Sequence, residues 1–446
     1  MTSLPICLIC FAVTFMLARR SLVWGLGACV GLGYVFGVLK ANLFDTFSFF
    51  IWDSAVLGFY ASYFSRRARP EELTRTEGLR MWVAALILWP VLLAAIPVQY
   101  PLVQLVGLRA NVFLLPFLLI GSRLKPEDFD ELASILAGLN LMALALATIE
   151  YFFGLEQFFP RNQVTELIYM SRDVAGYTAF RIPAFFINAH AYAGTMVMTM
   201  PFLLGAWVRE TRPWRKNLIP AGMMAALIGV FLAASRTHMI MLCLLMLYAL
   251  LSRELRSLSR AGLLVMVVCT VLIVSNDERM QRFTSLLDKD FVTQRVSSSI
   301  NLPFVEAALE YPFGVGIGGG GTSIPYFLQD EILEDVLAEN EYVRIMLEEG
   351  VLGLAMWISF IVWMATRRRN AIGQPSLGRR LGRFLIVGYF LMACLGTGLL
   401  TSVPQSMLLM LAAGWACAGR EPATVAGAGF SRRLRAARML TEEYGG

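Results

Sequence analysis

Apolar runs of membrane-crossing length alternate with short charged breaks from one end of the chain to the other. A helix needs about 20 apolar residues to cross the roughly 30 Å of hydrocarbon in a bilayer. Measured against that length, the pattern predicts about 13 helices. They lie near residues 4–18, 21–39, 44–64, 79–97, 102–120, 132–154, 186–207, 217–234, 238–251, 261–275, 350–366, 384–400 and 404–419. The first run is the shortest of the early ones, so 12 is the alternative count. It has no basic leader and no small-residue cleavage site, which reads as a retained span rather than a signal peptide.

Two connections are longer than the rest, 155–185 and 276–349. Connections of the second length are usually functional or disordered. Within it, Leu328–Glu349 is acidic and carries Ile332, Leu333, Val336, Leu337, Tyr342, Val343 and Met346 at helical spacing. That spacing predicts an amphipathic helix laid on the membrane or on the bundle. The expected organisation is therefore all-α: a transmembrane bundle over 1–275, an external loop over 276–349, three final spans over 350–419 and a basic tail over 420–446. No internal repeat is visible.

Composition sharpens this picture. The chain is 57% hydrophobic and 16% charged, against about 45–50% and about 25% for a soluble domain. Too little polar surface remains to coat a globule in water, so the membrane is the solvent. The seven cysteines all fall in apolar stretches. Cys7 and Cys10 form a lone C-x-x-C inside an apolar run and read as small hydrophobic filler. Two histidines are too few for a histidine-based metal site, and no metal or other cofactor is expected.

The net charge of +6 is not a nucleic-acid signature, because its sources sit in the short loops. One alternate set of loops holds Arg66, Arg67, Arg69, Arg75 and Arg80, then Arg209, Arg212, Arg215 and Lys216, then Arg253, Arg256 and Arg260. It ends with Arg367, Arg368, Arg369, Arg379, Arg380, Arg383 and the tail arginines, whereas the other set's short turns hold little more than Lys40. The positive-inside rule places the first set and the C-terminus in the cytoplasm. Both long connections are then external.

Three constellations fall on the external side. The first is Arg181-Ile-Pro-Ala-Phe-Phe-Ile-Asn188-Ala-His190. The second is Ser235-Arg236-Thr237-His238, between two apolar runs with hardly any loop, and the third runs from Arg279 to Glu349. A guanidinium between two spans is costly without a partner, and an outward arginine runs against the charge rule, so Arg236 points to a function. Gly314-Val-Gly316-Ile-Gly318-Gly-Gly-Gly321 lacks the lysine and hydroxyl residue of a nucleotide loop and reads as tight packing or close approach to a ligand. Arg109 and Asp53 fall inside predicted spans, where an internal ion pair is one expectation and a role in binding the other.

The second half of the chain resembles the O-antigen ligase and O-antigen polymerase superfamily of bacterial envelope glycosyltransferases. The resemblance rests on Ser235-Arg236 at the outer start of a mid-chain helix, Arg295 upstream of Pro312-Phe-Gly314-Val-Gly316, and Ala338-Glu339-Asn340-Glu341-Tyr342 before Leu347-Glu348-Glu349-Gly350-Val351-Leu352-Gly353. The run from Arg181 through Pro183, Asn188 and Ala193 to Pro201 is similar to the family's preceding helix. The match covers about residues 181–366. Where the family commonly has His-Asn, this chain has Glu339-Asn340.

The resemblance implies a metal-independent transferase in the bacterial inner membrane, with its C-terminus cytoplasmic and its site on the periplasmic face. The implied donor is an undecaprenyl-diphosphate-linked glycan and the acceptor a glycan or lipid, with membrane lipid and other polysaccharide-assembly proteins as partners. Arg236 and Arg295 would stabilise the departing diphosphate, and Glu339 would accept the acceptor's proton. Arg181, Asn188, His190, His238, Arg282 and Asn340 would hold substrate. Polymerisation is favoured over ligation by the Glu339 departure. A lipid-linked oligosaccharide flippase is the chief alternative, and a scaffold without chemistry a third.

Overall fold

The computed structural model describes residues 3–43, 45–66, 70–170, 180–255, 257–275, 308–320, 324–333, 340–367, 376–396 and 398–418, with positions 283, 289, 290 and 293. Arg282, Arg295 and Glu339 of the sequence reading lie outside the described residues, as does the tail from 419. The helices are α1 Ser3–Arg20, α2 Leu22–Asn42, α3 Ile51–Phe64, α4 Pro70–Arg75, α5 Leu79–Ala94, α6 Pro101–Val112, α7 Pro116–Arg123, α8 Pro126–Phe153 and α9 Glu166–Met170. They continue as α10 Ala189–Arg209, α11 Pro213–Leu232, α12 Arg236–Leu251, α13 Ser257–Val274, α14 Tyr326–Gln329, α15 Glu341–Thr366, α16 Leu377–Met392 and α17 Gln405–Cys417. The described residues hold no β-strand. Among them, 7 helical segments are long and apolar enough to cross a membrane: α1, α2, α6 with α7, α8, α10, α11 and α15. Shorter apolar helices lie at Leu79–Ala94, Arg236–Leu251, Ser259–Leu272 and Gln405–Cys417. The chain is a membrane-embedded helical protein.

Each apolar run of the sequence reading contains helix, but several helices extend past the hydropathy limits. α8 begins at Pro126 rather than 132, α15 at Glu341 rather than 350, and α16 at Leu377 rather than 384. The added turns carry charge, which lowers hydropathy without breaking helix, and they are paired. Asp130 meets Arg209 at 2.6 Å and Arg380 meets Glu254 at 2.8 Å. The acidic Leu328–Glu349 stretch does not form one helix: residues 330–333 are non-helical, and α15 starts afresh at Glu341. Leu328 and Ile332 pack on Val103 and Val106 of α6, so this stretch lies on the bundle.

In the core, helix packing depends on small residues and on buried polar groups. α7 and α17 cross with backbones in contact, because a Cβ at Gly121 would meet the Leu411 carbonyl and one at Gly414 the Leu118 carbonyl. Close crossings of this kind let dispersion replace the hydrophobic drive that lipid cannot supply. Asn140 of α8 accepts from Tyr34 Oη at 2.7 Å and donates to Thr199 Oγ1 at 2.9 Å and the Gly222 carbonyl at 3.2 Å. That single side chain ties together α2, α8, α10 and α11.

The two ends of the bundle differ. At one end the arginines of the short turns lock neighbouring helix termini. Arg66 donates to the Ala18 carbonyl, Arg383 to Ala365, and Arg367 to Glu77 at 2.9 Å. At the other end meet the C-termini of α2, α8, α11 and α16 and the N-termini of α10, α12 and α15. This second end holds the sequence-predicted constellations.

Candidate functional site

The α11–α12 turn gathers the polar side chains that hydropathy leaves unexplained. Leu232 ends α11 and Ala233 caps it. Ala234 follows at φ 48°, a left-handed conformation that strains a residue with a Cβ by about 1–2 kcal/mol. The tight reversal makes Ser235 the N-cap of α12 and Arg236 its first residue. A serine at an N-cap normally accepts from a first-turn amide, yet Ser235 makes no such bond. Its Oγ lies 2.8 Å from Nδ1 of His238 and 3.4 Å from Nδ1 of His190. The two imidazoles meet edge to face with centroids 4.3 Å apart. His238 is 1% exposed, whereas His190 and Arg236 are half-buried. Tyr389 of α16 stands on the far side, its ring 6.1 Å from that of His238.

The stretch before α10 folds onto this turn. Arg181 Nε donates to the Ala233 carbonyl at 3.0 Å, and the Ile182 amide donates to Leu232 at 3.3 Å. The chain then reverses through Ala184 and Phe185, at φ 50° and 72°. Their amides donate to the Glu150 carboxylate at 2.8 and 3.0 Å. Glu150, at the end of α8, is 2% exposed and so acts as the fixed post around which the stretch bends. Asn188 Oδ1 accepts from the Ala191 amide at 2.8 Å, capping α10 and setting His190 in its first turn. The sequence reading missed Glu150. Its signal was a carboxylate late in a long apolar run, a placement that calls for a partner.

A second cluster fills the start of α15. Arg344 donates to Glu341 Oε1 at 2.7 and 3.1 Å, to Glu348 Oε2 at 2.7 Å and to Asn111 Oδ1 at 3.0 Å. Asn111 donates in turn to Glu348. Glu341 Oε2 accepts from the amides of Gly398 and Leu399 at 2.7 and 3.2 Å. Arg344, Glu341 and Glu348 are each 0% exposed and Glu349 1%. The sequence reading quoted the acidic residues for their resemblance and gave Arg344 no role. The spacing of Glu341, Arg344 and Glu348, three and four apart, was the available signal. Asn340 caps this helix, its Oδ1 accepting from Tyr342 at 2.9 Å.

Just beyond the cluster α15 breaks at Gly350, φ 71° and ψ 180°, a conformation essentially confined to glycine. The glycine-rich stretch completes the broken ladder. The Val315 amide donates to Leu347 at 2.7 Å, and the Val351 amide donates to Pro312 at 3.0 Å. A Cβ at Gly314 would meet the Leu347 carbonyl at 2.5 Å, so the glycines here serve close packing.

The structure thus brings Arg181, Asn188, His190, Ser235, Arg236 and His238 around one turn and places Asn340 in the α15 cluster. The two groups meet across α16: Tyr389 flanks His238, while the next carbonyl, Phe390, accepts from Tyr342 Oη at 2.7 Å. Arg109 is used structurally, gripping Asp53 with two bonds of 2.6 Å. At the α11–α12 turn, two guanidiniums suited to an oxyanion adjoin two imidazoles suited to a proton. No family model matches this chain, and no curated protein or solved structure matches it either.

Proposed function

We propose that this chain is a membrane glycosyltransferase that transfers or polymerises glycan from an undecaprenyl-diphosphate-linked donor onto a sugar acceptor, with polymerisation favoured over ligation. The observation that carries the reading is Arg236 at the first position of α12, in a turn shared with Arg181 and both histidines. First-turn amides already carry partial positive charge, and a guanidinium on the same turn adds to it, so the start of α12 is a place that attracts anions.

Two further features support it. Arginines concentrate at the opposite end of the bundle, which by the charge rule faces the cytoplasm of a bacterial inner membrane and leaves this turn outward. The segments that carry the resemblance also touch in pairs, residues 181–182 with 232–233 and residues 312–315 with 347–351.

In the proposed reaction the anomeric carbon–oxygen bond breaks and its electron pair leaves with the lipid diphosphate. Arg236 and Arg181, with Arg295 from the family resemblance, hold that developing charge. Planar guanidinium forks suit two phosphate oxygens at once. The acceptor hydroxyl attacks the same carbon and gives up its proton.

The test is reconstitution of the full chain with a lipid-linked oligosaccharide and sizing of the products. A ladder is the expected result, and transfer to a second acceptor would mark a ligase. Donor carried across the bilayer at unchanged size would overturn the reading in favour of a flippase. Arg236→Ala should lower turnover by about 10²–10³-fold, the usual effect of losing one preorganised charge donor, with the variant still reaching the membrane. Undiminished turnover would remove the central residue.

A further inference from the structure

The sequence resemblance assigns the proton acceptor to Glu339. The geometry points to a different group: we infer that His190 is the general base for the acceptor hydroxyl, with Ser235 and His238 as residues that position it. The inference rests on the transfer reading above and deepens it.

His190 and His238 are the chain's two histidines, 48 positions apart in sequence and on different helices. The fold nevertheless aims Nδ1 of each ring at one serine oxygen. A hydroxyl has a single hydrogen, so it can donate to one imidazole only, and the other ring must then donate its own Nδ1–H to the oxygen. The shorter contact, 2.8 Å, belongs to His238 and suits an O–H donated to its Nδ1. The longer one, 3.4 Å, is then Nδ1–H of His190 donated to Ser235. With the roles assigned this way, His190 is the tautomer whose Nε2 carries no proton. Three features show that the contact is built rather than incidental. Ser235 forgoes its helix cap to make it, Ala234 is held left-handed to present it, and Asn188 caps α10 two residues before His190.

Burial then decides which ring works. His238 is enclosed, and a full charge on it would lack solvation. His190 is half-buried and so is the ring that can meet substrate and return a proton to water. In the step, the acceptor O–H bond breaks and its proton passes to Nε2 of His190. The oxygen bonds the anomeric carbon, and the diphosphate departs with the electron pair. Imidazolium formed on His190 still donates Nδ1–H to Ser235, and it releases the Nε2 proton to solvent before the next cycle. Among the described residues, the charged and titratable groups beside the pair include Arg181 before α10, Arg236 on α12 and Tyr389 on α16. Glu341 of α15 lies close enough for its charge to reach Tyr389.

The experiment uses the reconstituted full chain and follows kcat and KM against pH with an undecaprenyl-diphosphate oligosaccharide. Wild-type turnover should fall on acidification, because the base works unprotonated. His190→Gln should lose about 10²–10³-fold in kcat with KM little changed, and its acid limb should vanish. His190→Ala should regain turnover on addition of imidazole. Ser235→Ala and His238→Gln should each lower kcat about tenfold and displace the acid limb, which a merely structural role would not do. Glu339→Gln should keep the wild-type limb. The inference is overturned if His190→Gln retains wild-type kcat and limb, or if Glu339→Gln alone erases it. Should His190→Gln fail to reach the membrane, His190→Ala with and without imidazole decides, and absence of rescue counts against the proposal. An inert wild-type chain would overturn the transfer reading itself and this inference with it, whereas an active wild type with an indifferent His190 would overturn the inference alone.

Discussion

Arg344 and Arg236 stand at the same end of the bundle, each within the first turn of a helix, and their surroundings differ in every respect that matters. Arg344 is fully enclosed, and its donors are taken by Glu341, Glu348 and Asn111. Around it are three carboxylates, Glu341, Glu348 and Glu349, for one guanidinium. Arg236 is half-buried, beside a turn in which a serine and two histidines share hydrogen bonds. A buried charge enclosed by its counter-charges holds helices together. A half-buried one at a helix start keeps a face that solutes can reach.

The largest expected effect tests the first half of that contrast. Arg344→Met leaves Glu341 and Glu348 enclosed without a counter-charge, a change that costs about 3–5 kcal/mol when a buried pair loses one partner. Most of the variant should fail to elute as a monodisperse species in detergent, while Arg236→Met should elute and melt as the parent does. A stable Arg344→Met protein would show that the α15 cluster does not organise the fold. The next effect is smaller. Gly350→Ala forces a side chain into a backbone region reserved for glycine, with an expected loss of about 1–3 kcal/mol visible as a lower melting temperature. The smallest effect sharpens the comparison at the helix starts. Asn188→Ala and Asn340→Ala should each lose about 1 kcal/mol, the usual value of an N-cap, with KM for the donor unchanged. A raised KM at unchanged stability would restore the substrate-binding role that the sequence suggests for them.

Much of the architecture was legible because apolar length is a one-dimensional property. Runs such as 186–207 and 217–234 announce helices without any knowledge of their neighbours. The apolar spacing of Tyr342, Val343 and Met346 announced helix at the start of α15. Its continuity with the following span was not legible, because Glu341, Arg344, Glu348 and Glu349 lower hydropathy, while Arg344 pairs with Glu341 and Glu348 and bonds Asn111, more than 200 positions away. The turn at Ser235-Arg236 was visible as two polar residues between apolar runs, and the placement of His190 and His238 at helix starts was visible too. Their convergence on one hydroxyl was not, since it depends on how α10 and α12 lie side by side. Asn188 and Asn340 were singled out through the external constellation and the family resemblance. The capping bonds give a local reason for their polarity, and the offset to the donating amides was present in the sequence all along.

The interruption of α15 has a mechanical consequence. Residues 312–315 act as a splint: they supply the donor and acceptor that Leu347 and Val351 lose when the helix breaks. Withdrawing the splint would leave the carbonyl of Leu347, a fully buried residue, without its donor, at about 4–8 kcal/mol by water-to-hydrocarbon transfer. Residues 312–315 and the break of α15 therefore form one braced unit, and a movement of either carries the other with it.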